Sequence, residues 1–341
     1  MAAPYRQFCM YHTESSYGTP GLTAGAPTAD NFGYLRLNQD EGVTGEMVPT
    51  FVPIPYGGGY TTEDDTVVGE FATAIKLASF LYPAQAKTLL DWCFTRINSG
   101  RTTPWTTTDA AGVMPPNDLA SLSLYRAVMD PAGTFTRERY AGCKAQRVRL
   151  ALGNLGEARV LTLEVDGFAQ RILPNAYDSS VAPTSTEIPD PGDDDLPRGP
   201  FTFGHVATGT GTVSVGGVER KATLTGLTIT AEKTLEARRY ASPIPEAYNT
   251  FGRRVTVEGT MALNAASYTD RAAWLAATDT AVSIVLDTGA VAIEFELNSR
   301  NRFDNWQRQT PNGDNYTVAF TLVNRYDGTA GEDMSVSVTE A

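Results

Sequence analysis

The chain has 341 residues, 42% apolar and 19% charged, with 39 acidic against 27 basic residues and a formal charge of −12. That length supports two ordinary domains with cores of their own, and the composition excludes a disordered chain. The negative charge argues against tight wrapping of nucleic acid, but it leaves room for a duplex that passes without sticking.

Residues 1–34 are rich in Gly, Pro, Ser and Thr and read as an arm or a set of loops, either mobile or held by something else, for which a neighbouring subunit is the candidate. Short extended patterns follow over 35–80. Within them, 53–60 (PIPYGGGY) reads as a turn or loop, and 67–80 is strand-like, with Phe71, Thr73, Ile75 and Leu77 on one face. The period then changes, and residues 82–98 predict a helix. Ala86, Leu89, Leu90, Cys93, Phe94 and Ile97 recur at three- and four-residue spacing, and Pro83 fits the first turn. Arg96 suits the carboxyl end, and Asn98-Ser99-Gly100 stops the helix. A polar loop covers 101–118. Strands are expected at 119–128, 133–140, 145–152 and 158–165, the last two as a hairpin across 153–156 (GNLG). Residues 183–200 carry five prolines and no periodicity, and read as an interdomain linker or a long exposed loop. The acidic triplet at 193–195 lacks the spaced ligands of a calcium loop and reads as solvated. The division is therefore an arm at 1–34, a first domain at 35–182, a linker at 183–200 and a second domain at 201–341.

After the linker the grammar repeats. Strands are expected at 212–215, 221–230, 235–240 and 254–263. A short helix follows at 268–278, capped by Ser267 or Thr269 and with Asp270 near its positive end. Further strands are expected at 280–286, 290–297, 316–323 and 333–338. Residues 299–312 (SRNRFDNWQRQTPN) read as a polar loop. In both halves an alternating strand runs into a helix, at 69–93 and at 254–278. The order of elements implies a degenerate internal duplication. Two similar domains in one chain would double the effective symmetry of a closed ring.

Cys9, Cys93 and Cys143 are too scattered for a disulfide scaffold, and Cys93 falls on an apolar helical face where it packs as a small hydrophobe. The N-terminus lacks the basic-then-apolar pattern of a signal peptide, and no window approaches the roughly 20 apolar residues of a membrane span. A soluble protein made in a cytoplasm is expected. His12 and His205 lie outside any metal-ligand spacing, and CxxC, GxxxxGK[ST] and GxSxG are absent. No metal, cofactor or catalytic set is expected. The strongest enzymatic alternative is a glycosidase acid pair, Glu164 with Asp166 or Glu294 with Glu296, about 7 Å apart on one strand face. A plain polar strand face explains both pairs more simply. Arg300, Arg302 and Arg308 frame Phe303 and Trp306, which suits a protein interface or a loop folded on its own domain.

The succession of these features resembles the major tail tube proteins of long-tailed, siphovirus-like phages. The residues that carry the resemblance are 14–20 (ESSYGTP), the sheet-to-helix step at 77–94 and the hairpin at 148–164. The closing run of 268–276, 284–297, 299–314 and 316–326 completes it. It spans nearly the whole chain and rests on order, not on any one motif. It implies a mainly β fold with flanking helices, in tandem tail-tube-like β-sandwich or barrel domains. It implies a structural, non-enzymatic role, with rings stacking into a hollow conduit for the tape measure protein and for double-stranded DNA passing non-specifically. Given the duplication, trimeric rings with pseudo-six-fold symmetry are preferred over hexameric rings. A tail terminator and a distal tail protein are the further partners implied. The implied place is the virion tail, after assembly in the host cytoplasm, without membrane insertion. Interface residues are expected in 1–34, 40–66 and 299–314, among them Tyr17, Tyr60, Arg300, Phe303 and Trp306. Glu164, Asp166, Glu294 and Glu296 are expected to face the lumen. The halves diverge in sequence, which leaves room for one tube domain plus a decorative one. The rivals are a distal tail or baseplate hub protein of related fold, and a carbohydrate-binding or other adhesive β-module, which predicts monomers.

Overall fold

Period-two alternation governs most of the chain, and the computed structural model builds long strands from it. The structure describes residues 6–14, 17, 32–35, 43–55, 63–94, 97–98, 101–102, 105–106, 121–129, 135–155, 158–174, 199–202, 211–220, 223–239, 245, 247–309, 316–325 and 332–340. The first half runs through β1 (Arg6–Thr13), β2 (Phe32–Leu35), β3 (Val43–Pro55), β4 (Glu63–Phe80) and helix α1 (Pro83–Phe94). The short β5 (Ile97–Asn98), β6 (Arg101–Thr102) and β7 (Trp105–Thr106) come next. They precede β8 (Leu122–Met129), β9 (Phe135–Leu155), β10 (Ala158–Phe168) and β11 (Arg171–Pro174). The second half runs through β12 (Thr212–Val215), β13 (Val218–Glu219), β14 (Leu224–Arg238), β15 (Ala247–Ala262) and helix α2 (Ala265–Leu275). It closes with β16 (Thr280–Asp287), β17 (Val291–Arg308), β18 (Thr317–Val323) and β19 (Glu332–Glu340).

Apart from the β5–β6 pair, the strands join one open sheet, not a closed barrel. Its long stretch has the order β3-β4-β10-β9-β14-β15-β18-β17. A side stretch in the first half has the order β2-β1-β8-β9-β11. Its counterpart in the second half is β13-β12-β16-β17-β19, with β7 added on β19. Strands β9 and β17 serve twice, giving their first part to a side stretch and their last part to the long one.

The two halves therefore share one pairing scheme, element for element. β3 corresponds to β14, β4 to β15, α1 to α2, β9 to β17 and β10 to β18. Even a bulge recurs, where β10 shifts register against β9 between Asp166 and Gly167, and β17 shifts against β18 between Phe303 and Asn305. The halves meet where β14 pairs with β9, from Leu227 opposite Leu152 to Glu232 opposite Arg147.

Burial follows the alternation. Leu150, Leu163, Val165, Ile229 and Val257 of the long stretch share a single core with Leu124, Ile284, Phe295 and Val336 of the side stretches. Helix α1 lies in the angle between the halves. Its Trp92 indole donates to the Cys143 carbonyl at 2.9 Å, and its Phe94 meets Phe295 of the second half edge to face at 6.4 Å. The buried Lys233 of β14 donates to the Cys93 carbonyl at 3.2 Å, supplying a donor and a positive charge at the helix's carboxyl end. Cys93 is packed as expected, and burial pushes its thiol up to about 12.

Several expectations are corrected. Part of the 1–34 arm is a core strand: Cys9, Met10 and Tyr11 of β1 are buried, and β1 pairs with β8 along its length. The 40–66 stretch, expected as an interface loop, falls largely in the β3–β4 hairpin, since prolines that break a central strand are tolerated at a sheet edge. The strands expected at 133–140 and 145–152 are one strand, β9, and those at 221–230 and 235–240 are one strand, β14. Residues 299–308 are strand and not loop. Helix α1 stops at Phe94, and α2 starts three residues earlier than expected. Its cap is Asn264, which accepts from the Ser267 amide at 3.0 Å while its own amide donates to the Ser267 hydroxyl at 2.9 Å. The linker at 183–198 lies outside the described residues.

Asp270 sits inside α2 and pairs with Arg220 at 2.6 Å, both side chains buried. Burial pushes the Asp270 carboxyl above its ordinary range, and the guanidinium opposes it. Asp270→Ala would strand a buried guanidinium. It is expected to cost about 3–5 kcal/mol in urea unfolding, whereas an exposed control such as Asp304→Ala should cost under about 0.5 kcal/mol.

Candidate functional site: polar face and free edges

The side of the long stretch that turns away from the core is polar. Residues directly opposite one another across strands share a face, so the register fixes its composition. One row crosses β4, β10, β9, β14 and β15 as Lys76, Asp166, Arg147, Glu232 and Arg254. Its charges alternate in sign at every step. Arg147 and Glu232 form an ion pair at 2.9 Å across the seam between the halves. In the next row, Nη1 of Arg149 donates to both carboxylate oxygens of Glu164, at 3.2 and 3.1 Å. Thr230 and Thr256 continue that row. Beside the seam, Gln146, Arg147, Asp166, Glu232, Thr234 and Arg254 line an open groove of about 500 Å³.

Glu164 and Asp166 therefore lie on the polar face of the long stretch, close to arginines of β9. In these two rows each acid of β10 lies opposite an arginine of β9. Glu294 and Glu296 lie elsewhere, on the side stretch formed by the first part of β17, opposite Ser337 and Ser335. The long and side stretches share one core on their apolar sides, so their polar sides point away from each other. The four acids do not share a face. Burial and the neighbouring Glu296 push the Glu294 carboxyl up, and a hydrogen bond with Ser337 opposes this.

The expected interface residues separate in the same way. Tyr17 packs within the chain, its ring edge-on to Tyr248 at 6.2 Å and under the Lys144 ammonium at 5.2 Å. Burial raises its hydroxyl well above the ordinary range. Tyr60 lies outside the described residues. Arg300 is exposed, with Asp279 at 3.7 Å. Phe303 and Trp306 are buried, not displayed between arginines. Phe303 meets Phe320 edge to face at 6.1 Å, and the Trp306 indole donates to the Ser267 carbonyl of α2 at 3.1 Å. The bulge puts both rings on the core side although only two residues lie between them, and that spacing hid the strand. Arg147 and Glu232 are legible as charges interleaved in strands, but their pairing with each other and the alternating row depend on register between distant strands.

The other notable surface is backbone. Among the described residues, β3 at one end of the long stretch and the last part of β17 at the other each have one strand neighbour there. Both leave a row of N–H and C=O groups unpaired by the sheet.

No helix of the described residues is long and apolar enough to cross a membrane, and no group of three metal-ligating side chains occurs among them. No protein-family model and no curated protein sequence matches the chain.

The seam pair is half-exposed, so its contribution is modest. A double-mutant cycle on Arg147→Ala and Glu232→Ala is expected to give a coupling of roughly 0.3–1 kcal/mol that shrinks in 1 M salt. Zero coupling at low salt would remove the ion pair as a seam contact.

Proposed function

We propose that the chain is a subunit of a phage tail tube, acting without catalysis as one segment of a ring-built conduit. The observation that carries this reading is the side-by-side fusion of two halves with one pairing scheme in one open sheet, with an edge strand at each end of its long stretch among the described residues. A repeated unit with complementary edges extends by copying its own internal junction, and closure into a ring removes the edges. Each half reads as a tail-tube-like β-sandwich with a flanking helix. Three copies, contributing six such units, make the preferred ring, and stacked rings make the tube.

The polar face of the long stretch is the surface such a ring would turn toward its channel. Arg149 is engaged by Glu164, and Arg147 by Glu232. Arginines already committed to carboxylates are poor collectors of phosphate, which suits the passage of double-stranded DNA and of a tape measure protein. The tail terminator and distal tail protein would meet the two ends of the stack, in a virion tail assembled in the host cytoplasm.

Negative-stain electron microscopy of the purified protein over a range of concentrations tests the reading. Hollow tubes or stacked rings are expected, with class averages showing three-fold symmetry and six similar lobes. Plain monomers at every concentration, even with a tail-tip initiator complex added, would overturn it and make a glycan-binding screen the next step.

A further inference from the structure

The internal junction is a template for the contact between copies. Correspondence between the halves is set by shared landmarks. Phe80 and Ala262 end β4 and β15, and Pro83 and Ala265 open the two helices. Thr162 faces Phe80, and Thr317 faces Ala262. The two bulges then align Gln146 with Asp304. On this frame Thr44 corresponds to Thr228, and Gln309 corresponds to Ala151. Thr228 and Ala151 are partners in the seam.

The helices supply an independent observation. In α1, Ala86 and Cys93 are 0% and 1% exposed, because the helix is wedged between β9 of its own half and β17 and β19 of the other. The corresponding residues of α2 are Tyr268 and Leu275, which are 45% and 65% exposed. Helix α2 packs on β17 of its own half, and among the described residues no strand of the other half forms a comparable second wall on it. An apolar position covered in one half and open in its equivalent marks where a further unit sits.

We infer that a second copy of this chain pairs its β3 antiparallel with the last part of β17, placing Thr44 opposite Gln309 and Gly45 opposite Arg308. The same docking seats Tyr268 and Leu275 of α2 against β9 and β11 of the next copy. This specifies the contact on which the ring reading above depends.

Disulfide trapping tests the register. Thr44 and Gln309 are both exposed, and directly opposed strand residues come within the Cα range that a disulfide spans. Cys9, Cys93 and Cys143 are all buried, so an introduced thiol is distinguishable. The double variant Thr44→Cys/Gln309→Cys, assembled and mildly oxidised, is expected to run as covalent dimers and trimers on non-reducing gels. Each single variant should remain monomeric. Thr44→Cys/Asn305→Cys, shifted about 13 Å along the strand, should crosslink at least tenfold less. Leu275→Glu should abolish ring formation while leaving circular dichroism and the thermal midpoint of the monomer unchanged. Rings that assemble normally but fail to crosslink at Thr44 and Gln309, or that tolerate Leu275→Glu, would overturn this contact and leave the tube reading standing. Failure of the unsubstituted protein to assemble would overturn both.

Discussion

Backbone hydrogen bonding at the edge of a sheet is the constraint on which this molecule turns. A strand with one neighbour leaves half of its N–H and C=O groups to water or to another strand. Among the described residues the two halves meet that demand for each other where β14 lies against β9, from Leu227 and Leu152 to Glu232 and Arg147. The pairing merges two four-stranded sheets into one of eight. It brings Lys233 to the end of α1 and puts Phe94 against Phe295. Without it the helix would lose a wall and the core would divide into two smaller ones, each less able to offset the entropy of ordering its chain.

The same pairing decides the character of the polar face. Acids and bases that are far apart in sequence become neighbours only because β4, β10, β9, β14 and β15 lie in that order. Like charges directly opposite would weaken the sheet, and the observed row avoids them at each step. A one-residue slip of β14 on β9 would turn Glu232 toward the core and Ala231 toward water, so the burial pattern holds the register more firmly than any ion pair does.

Much of this was legible in the sequence. The pairing of the 145–152 strand with the 158–165 strand, the helix beginning at Pro83 and the repeated strand-to-helix step all follow from local periodicity, and each is present, although 153–155, read as part of the turn, extend β9. The errors cluster where a strand leaves one stretch of sheet for another. At 141–143 and 298–301 the alternation breaks, because β9 and β17 bend there and exchange neighbours. Period counting ends a strand where the chain only turns it. Proline misled in β3, because Pro49 and Pro53 forbid a central strand but not an edge. At α2 the cap lay at Asn264, and Asp270 looked like a partner of the helix dipole when its real partner, Arg220, is distant in sequence. The site's composition needed register, and register between halves is not written locally.

Tethering also sets how the two kinds of seam respond to dilution. Strands β9 and β14 belong to one polypeptide, so they meet at an effective concentration of about millimolar whatever the protein concentration outside. Weak side-chain pairs, such as the half-exposed Arg147–Glu232 contact, suffice to hold that seam. An equivalent seam between separate chains has no such help and must draw on bulk concentration. In a closed ring of fused pairs every second seam is formed before two molecules ever collide. The ring of three chains proposed above would form three seams between molecules where six separate units would form six, and its assembly threshold would rest on those untethered seams alone.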